Sequence, residues 1–590
     1  MTIDPITIEV IKGALIYAAE EMGIILRNSA YSPNIKERMD FSCTIFDDKK
    51  RLVAQAEHIP VHLGSMQLAV QKGLEKFKGE LEDGDMILFN DPYISGTHLP
   101  DITLICPIFH KGQIVAYSAN KAHHSDVGGK TPGSMAGDAT EIYQEGIIIP
   151  PVKFIKNNAI DKEVASILLS NIRTPEIRMG DLRAQMASAI LGKRRVLELV
   201  TKYGIKTLHE AMEAIMNYSE RLTRIEISKM PSGSWTAKDY LENTGVSNER
   251  VKIMVTMTTR KNQLLVDYSG TDMQVNGPVN AVLGVTLSGV YYVLRCMIDP
   301  TIPMNNGCYR PVKVNVPQGT LMNPTPPAPV AGGNVETSQR NVDVLLKAFA
   351  QMLPEKVCAA CQGTMNNVTM GGINPETSKP WTFYETIAGG FGGRKGMDGL
   401  DAVHSHMTNT MNTPIEAIET IYPIRFLKYE LRGDSGGPGK WRGGVGLERS
   451  WMLLAPSATL SVLAERTEMP PWGLYAGKPG AKGEYYIIKQ NGERIKLKSK
   501  CTVKVDKGDI FVTRTPGGGG YGNPLERNSE LVQRDVLDGL VSLDAAKRHY
   551  GVVINSATTE IDCKSTEQLR LTKRTDSKAR RRERIAVNSC

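Results

Sequence analysis

The spacing of apolar residues changes along this chain, and these changes constrain the fold more than any other feature of the sequence. Residues 6–29 predict an amphipathic helix because apolar side chains recur every three or four residues. These side chains are Ile11, Leu15, Ala18, Met22 and Leu26. The paired runs at 41–46 with 51–55 and at 103–109 with 113–118 alternate instead, which predicts two β-hairpins. Because the two periods occur in separate blocks, we expect an α+β protein.

The length of the chain indicates several structural units. With 590 residues it is too long for a single hydrophobic core, so we expect about three or four units. The expected limits follow the changes of period. They give a mixed α/β region carrying a candidate metal site (1–160), a helical block (161–230), an α/β region (231–420), a β-rich, sandwich-like unit with short C-terminal helices (421–550) and a basic, flexible tail (551–590).

Charge and composition argue against two classes of partner. The formal net charge is +8, but residues 564–590 carry nine Lys or Arg and three Asp or Glu, so this end alone contributes +6. The rest of the chain is nearly balanced, and we therefore expect no nucleic-acid partner. No apolar run reaches the roughly 18–20 residues of a membrane span, so we expect no membrane partner either.

The N-terminus and the cysteines predict a cytoplasmic protein. The first residues show no basic segment followed by an apolar one, so no secretory signal is expected. Nine scattered cysteines predict reduced thiols. Cys358 and Cys361 form a lone CxxC pair, for which buried packing is a more common role than metal or redox chemistry.

Histidine is scarce in this sequence and concentrated in one segment. Of ten histidines, six lie between residues 58 and 124. His98 and Asp101 follow the strand predicted at 85–89, and His123 follows the second hairpin. Loops at the ends of strands are where a rigid scaffold displays catalytic side chains.

The set of His98, Asp101 and His123 is the best candidate for a metal site. Two imidazoles and one carboxylate leave open coordination positions on a divalent ion, as a catalytic metal requires. Asp40 could add a second carboxylate. The spacing alone leaves an alternative open, in which His98 caps its loop, His123 packs in the core and the carboxylates bind backbone.

Other polar residues in this region are weaker candidates. His124, Asp126 and Glu145 could transfer protons, although an ordinary exposed carboxylate is the more common role for a residue such as Glu145. In the HxxxH run from His58 to His62, Pro60 argues against a zinc-binding helix. We expect this run to line the same pocket or to form an ordinary loop.

Several motifs in the same order give the chain a resemblance to the hydantoinase B family. This family corresponds to the C-terminal half of ATP-dependent 5-oxoprolinase and includes the alpha-type subunits of acetone and acetophenone carboxylases. The resemblance covers about residues 3–550. The motifs are Glu37-Arg-Met-Asp-Phe-Ser42, His58-Ile-Pro-Val-His-Leu-Gly64, Asn90-Asp-Pro, Gly96-Thr-His-Leu-Pro-Asp101, Ala122-His-His-Ser-Asp-Val-Gly-Gly129, Gly332-Gly-Asn-Val-Glu336 and Thr515-Pro-Gly-Gly-Gly-Gly-Tyr-Gly522.

The resemblance implies a metal site and a partner. By position, the metal site falls on His98, Asp101 and His123, with Asp40 as a fourth candidate, and the ion would be zinc, manganese or iron. The resemblance also implies a hydantoinase A-type subunit that holds ATP, in a hetero-oligomer such as a heterotetramer. The chain itself contains no G-x-x-x-x-G-K-[ST] motif, which agrees with an ATP site elsewhere.

The implied activity is ATP-dependent ring opening of a small cyclic amide. The partner would phosphorylate the carbonyl oxygen of a hydantoin, 5-oxoproline or lactam, and water would open the ring on this chain. Two alternatives remain: an alpha-type subunit of an ATP-dependent ketone carboxylase, and a non-catalytic assembly subunit. The metal motif does not separate the first two activities, because both need an electrophile-binding metal.

Overall fold

The structure, a computed structural model, describes residues 3–56 and 58–587 and is built from helices and four sheets. The helices are α1 (Pro5–Ser29), α2 (Pro33–Lys36), α3 (Ser65–Gly73), α4 (Pro92–Ser95), α5 (Lys162–Ser170), α6 (Pro175–Tyr203), α7 (Ile205–Ser228), α8 (Leu283–Met297), α9 (Asn306–Tyr309), α10 (Ser338–Met352), α11 (Ile415–Ile421), α12 (Ser529–Leu537), α13 (Leu543–Ala545) and α14 (Cys563–Val587). The expected α+β class is confirmed.

The strands of the first half are β1 (Phe41–Asp47), β2 (Leu52–Gln55), β3 (Met86–Phe89), β4 (Asp101–His110), β5 (Gln113–His123), β6 (Val152–Lys156), β7 (Ala159–Ile160), β8 (Gly233–Leu241), β9 (Val251–Arg260), β10 (Gln263–Asp267) and β11 (Val312–Asn315). Those of the second half are β12 (Asn367–Ile373), β13 (Pro380–Glu385), β14 (Ile424–Arg432), β15 (Gly446–Leu453), β16 (Ser457–Leu463), β17 (Glu484–Ile488), β18 (Arg494–Lys496), β19 (Lys500–Asp506) and β20 (Ile510–Arg514). Both predicted hairpins are confirmed, as β1–β2 and β4–β5.

A seven-stranded antiparallel sheet forms the centre of the N-terminal part, in the order β2-β1-β5-β4-β3-β6-β7. Its two faces are covered differently. Helices α1, α6 and α7 bury their apolar stripes with side chains of β1 and β5, and Ile11, Leu15 and Met22 of α1 are completely buried there. The predicted helical block is confirmed as α5, α6 and α7.

The C-terminal sheets pack around a shared apolar core. The four-stranded sheet β13-β12-β16-β19 and the five-stranded sheet β14-β15-β20-β17-β18 both contribute to it, with Trp451 completely buried. A third sheet, β11-β10-β9-β8, lies with α8 and α10 in the largest core. That core includes residues from 59 to 463, so packing is continuous across the expected limits at 160, 230 and 420.

The segment expected to be a basic tail contains helix α14, and its first part contacts the body of the protein. Arg570 donates hydrogen bonds to the carbonyl oxygens of Tyr550 and Arg527 at 3.0 and 2.7 Å. Among the described residues, no helix combines the length and apolar composition that crossing a membrane requires.

Candidate metal centre

The register of three neighbouring strands places the four candidate ligands at one edge of the seven-stranded sheet. Asp101 at the start of β4 lies directly opposite His123 at the end of β5, so their side chains share a face. On the other side of β5, the His123 amide donates to the Asp40 carbonyl oxygen at 2.9 Å. His98 comes within reach because its loop turns back, with the Asp101 amide donating to the His98 carbonyl oxygen at 3.1 Å.

His98, Asp101 and His123 form a compact, buried cluster. One potential ligand atom from each lies within 4.8 Å of the others. His98 Nε2 is 3.3 Å from Asp101 Oδ1, and the two imidazole centroids are 5.0 Å apart. No residue of the three is more than 2% exposed. The structure therefore brings together the three residues that sequence spacing grouped.

The cluster contains polar atoms that the described protein leaves without hydrogen-bond partners. They include both ring nitrogens of His98, Nε2 of His123 and Oδ2 of Asp101. Unpaired buried polar groups are rare in native proteins because desolvating them costs free energy. Imidazole nitrogen and carboxylate oxygen are ligands of divalent transition metals, so these residues fit such an ion.

The protonation states that the cluster favours are those of metal ligands. Burial, reinforced by the nearby His98, holds the pKa of His123 well below its usual value, so the imidazole is neutral. Burial opposes ionisation of Asp101, but His98 and His62 outweigh it and hold the pKa of Asp101 well below the usual range. Burial raises the pKa of Asp40 to about 6, against the opposing charge of Arg38. A neutral imidazole and an ionised carboxylate are the forms that bind metal.

Further residues hold the cluster in place. Asn34 Nδ2 lies 3.1 Å from His123 Nδ1, which leaves Nε2 facing the cluster. The Tyr384 ring stacks on His123 with centroids 4.3 Å apart. Contacts of this kind set the orientation and tautomer of a ligating histidine.

His62 joins the cluster from the HxxxH run, as the pocket-lining interpretation predicts. It lies in a short 3-10 helix, Pro60–His62, and its Nε2 is 3.6 Å from Asp101 Oδ2. Ser42 Oγ is 2.9 Å from His62 Nδ1. The run forms no α-helix, as Pro60 indicated.

Lys121 is a buried residue of this face that the sequence patterns did not single out. It lies two residues before His123 on β5, and its Nζ donates to Ser65 Oγ, Ser95 O and Thr97 Oγ1 at 3.2, 2.7 and 3.2 Å. Burial lowers the pKa of Lys121 to about 7, although Asp101 opposes the shift. A lysine inside an otherwise apolar strand was the available signal.

His124, Asp126 and Glu145 have contacts outside the cluster. His124 Nε2 lies 2.9 Å from Gln185 Oε1 on α6. Asp126 accepts from the amides of Gly128 and Gly133 and from Arg173, at 2.9–3.0 Å. Glu145 accepts from the amides of Val330 and Ala331, each at 3.0 Å.

The expectation that Glu145 is an exposed carboxylate is wrong. It is completely buried, and burial raises its pKa to about 8 even though the Val330 and Ala331 amides lower it. No local pattern could indicate this, because the partners of Glu145 lie about 185 residues further along the chain.

Residues 4–524 match the family model described as hydantoinase B/oxoprolinase. The chain belongs to this family, and the resemblance identified in the sequence is confirmed. An uncharacterized protein of Methanocaldococcus jannaschii is 48% identical over 96% of this chain and all of its own length. A putative D-/L-hydantoinase of Pseudomonas sp. is 37% identical in its B-type component, over 96% of this chain and 98% of that component. The 5-oxoprolinase of Saccharomyces cerevisiae is 38% identical over 88% of this chain, but the match spans only 42% of that longer protein.

Two solved structures share the fold. The ATP-dependent caprolactamase of Pseudomonas jessenii aligns with a TM-score of 0.90 and 31% identity, over 97% of this chain and 100% of its own. An acetone carboxylase in a nucleotide-free form aligns with a TM-score of 0.91 over 98% of this chain and 84% of its own. At 22% identity the second likeness concerns the fold alone.

Proposed function

We propose that this chain is the metal-dependent, ring-opening subunit of an ATP-dependent cyclic amide hydrolase. The carrying observation is the buried cluster of His98, Asp101 and His123, whose unpartnered nitrogen and oxygen atoms meet at one sheet edge. The likeness to a caprolactamase at 31% identity supports a cyclic amide, such as a hydantoin, 5-oxoproline or a lactam, as the substrate class.

His98, Asp101 and His123 would hold the ion, with Asp40 as a fourth ligand. When bound, a divalent ion supplies Lewis acidity, which acidifies water and polarises carbonyl groups. The donor set suits zinc, manganese or iron. His124, Asp126 and Glu145 were weaker catalytic candidates, and their contacts support a structural role instead.

Asp40 is placed to handle a proton in this reaction. Because burial raises its pKa to about 6, its carboxylate is mostly ionised at pH 7 and can still accept a proton from attacking water. The surrounding side chains are almost completely buried, so the site excludes bulk water from a reactive acyl group.

The ATP step is assigned to a hydantoinase A-type partner in a hetero-oligomer. The chain matches only 42% of a 5-oxoprolinase, and the remainder of such long relatives is available for another activity. The absence of a P-loop motif from the 590 residues supports the same division. The partner would transfer the terminal phosphoryl group of ATP to the carbonyl oxygen of the ring.

The test is an assay of the chain together with this partner. Hydantoin, 5-oxoproline and caprolactam are incubated with ATP in buffer depleted of bicarbonate, before and after chelation of metal. We expect ATP-dependent ring opening of one of these compounds, lost on chelation and restored by a divalent ion. An absolute requirement for bicarbonate with a ketone substrate would contradict hydrolysis and support the carboxylase alternative.

The assembly alternative needs a variant that separates binding from activity. We expect His123→Ala to co-purify with the partner in normal stoichiometry and to be inactive. If this variant retained both metal and full activity, the assignment of the site would fail.

A further inference from the structure

Arg38 differs from the other deeply buried arginines of this protein. Six arginines are at most 1% exposed. Five of them form ion pairs with carboxylates at 2.5–3.2 Å: Arg178 with Asp181, Arg340 with Glu465, Arg449 with Glu385, Arg466 with Asp343 and Arg527 with Asp398. Among the described residues, no carboxylate oxygen lies within 4.0 Å of Arg38. Burying a charge without a counter-ion is costly, so such a group calls for an anionic ligand.

The hydrogen bonds of Arg38 are also incomplete. Its Nη2 donates to Thr386 Oγ1 at 2.7 Å, but its bonds to Thr410 Oγ1 and the Tyr384 carbonyl oxygen are long, at 3.4 and 3.5 Å. Its buried Nε has no partner among the described residues. A guanidinium group has five N–H donors in a planar fork, so most of its capacity is free.

The position of Arg38 relates it to the metal cluster. It lies two residues before Asp40, and its guanidinium carbon is 4.8 Å from the centroid of the Tyr384 ring. The same ring stacks on His123. A planar, charged fork beside this cluster matches the geometry of a phosphoryl group, which it can bind through two parallel hydrogen bonds.

We propose that Arg38 is the anion receptor of the site and binds the phosphoryl oxygens of an activated substrate. This inference rests on the proposed function, since it names the group by which a carbonyl-phosphorylated ring would be held. Thr386 and Thr410, which already contact Arg38 and lie 3.0 Å apart through their hydroxyl oxygens, would complete the receptor.

The experiment measures binding of inorganic phosphate to the purified, chelator-treated chain by calorimetry. Removing metal ensures that phosphate is not held by an ion. We expect Arg38→Met to raise the dissociation constant at least about tenfold, as expected for losing charge-assisted hydrogen bonds. Arg38→Lys should lose part of the affinity, because an ammonium group keeps the charge but not the fork. Arg295→Met, which removes a half-buried arginine from a surface cavity, is the matched control and should bind normally.

Thermal unfolding distinguishes a receptor from a purely structural arginine. Phosphate should raise the Tm of the unchanged chain, and this rise should disappear in Arg38→Met. Without phosphate, the Tm of Arg38→Met should be equal or higher, because an uncompensated buried charge has been removed. Arg178→Met should instead lower the Tm, since it leaves Asp181 without its partner.

Three results would overturn the inference: no phosphate binding by the unchanged chain, binding unaffected in Arg38→Met, or a fall in Tm of that variant as large as in Arg178→Met. Acetate and bicarbonate are titrated in parallel, and equal affinity for these planar anions would reassign the receptor to carboxylates. Because the titration needs neither partner nor ATP, it is independent of the ring-opening assay. Arg38-dependent phosphate binding without cyclic amide turnover would contradict the proposed function and leave the anion site standing.

Discussion

His123 and His124 are adjacent in sequence, but they lie on opposite faces of the seven-stranded sheet, and the two faces differ in chemistry. Successive side chains of a strand point to opposite sides, so His123 faces the candidate ligands while His124 faces helix α6. On the α6 side, polar groups are largely paired with one another. On the His123 side, imidazole and carboxylate atoms, together with the Arg38 Nε, lack partners among the described residues.

The α6 side shows what a structural polar network looks like in this protein. Gln185 contacts His124 through Oε1 at 2.9 Å, and its Nε2 donates to Ile102 O at 2.9 Å and to Asn120 Oδ1 at 3.0 Å. Arg178 pairs with Asp181 at 3.2 Å. The contrast teaches that burial of histidine alone does not identify a site: the identifying feature is burial without partners.

The largest expected effect comes from removing the ligand on the unpaired face. His123→Ala should lower kcat/KM for ring opening by at least about 10³-fold, roughly 4 kcal/mol, because the Lewis acid is lost. Metal content, measured by mass spectrometry of the purified protein, should fall to background. The free energy of unfolding of the metal-free protein should change little, because His123 Nε2 has no partner to lose among the described residues. Retained metal together with retained activity would erase the distinction between the faces.

The second prediction concerns acid stability and the paired face. Burial lowers the pKa of His124 to about 4 from its usual value of 6.5. A depressed folded-state pKa means that the unfolded chain binds the proton first, so stability is lost as the pH falls from 6.5 towards 4. The loss attributable to His124 approaches about 3 kcal/mol at the acid end.

Urea unfolding of the chelated protein between about pH 7.5 and about pH 4.5 measures this loss across the range in which His124 titrates. His124→Gln cannot take up the proton and should show a smaller decline than the unchanged chain. His123 is present in both proteins, so its own titration cancels in the difference. Parallel stability curves would show that His124 does not control the acid response.

The third prediction tests the network itself. Gln185→Leu should destabilise the fold by about 2 kcal/mol, because His124, Asn120 and the Ile102 carbonyl oxygen are left unpaired in the core. Activity per folded molecule and metal content should remain near normal. A selective loss of metal without a loss of stability would show that the two faces are coupled through β5.

How far sequence predicts this molecule depends on the range of the interactions. The helices and hairpins follow local periodicity, so α1, α6 and the β4–β5 hairpin could be predicted. The clustering of His98, Asp101 and His123 could be expected because all three follow strands of one region. Glu145 could not be interpreted, because its partners Val330 and Ala331 are remote in sequence.

The opposite roles of His123 and His124 also required coordinates. A one-residue change of register exchanges the two faces of a strand, and the sequence alone does not determine the register. Arg38 was visible within a motif, but its lack of a counter-ion became visible only when the surrounding carboxylates had positions. Partner choice across the fold decides these roles, whereas local sequence decides the elements.

The smallest effect is expected at Asn34, which supports His123 from behind. Removing a residue that orients a ligating histidine typically weakens metal binding by roughly 10- to 100-fold, and for Asn34→Ala we expect about tenfold in a competitive chelator titration. The imidazole that binds metal through Nε2 carries its proton on Nδ1, so the Asn34 amide must then present its oxygen to that proton. Asn34→Asp offers only oxygen acceptors at the same position and should retain or increase the affinity. If Asn34→Asp weakened metal binding as much as Asn34→Ala, Asn34 would act on His123 as a donor, and Nε2 could not be the metal ligand.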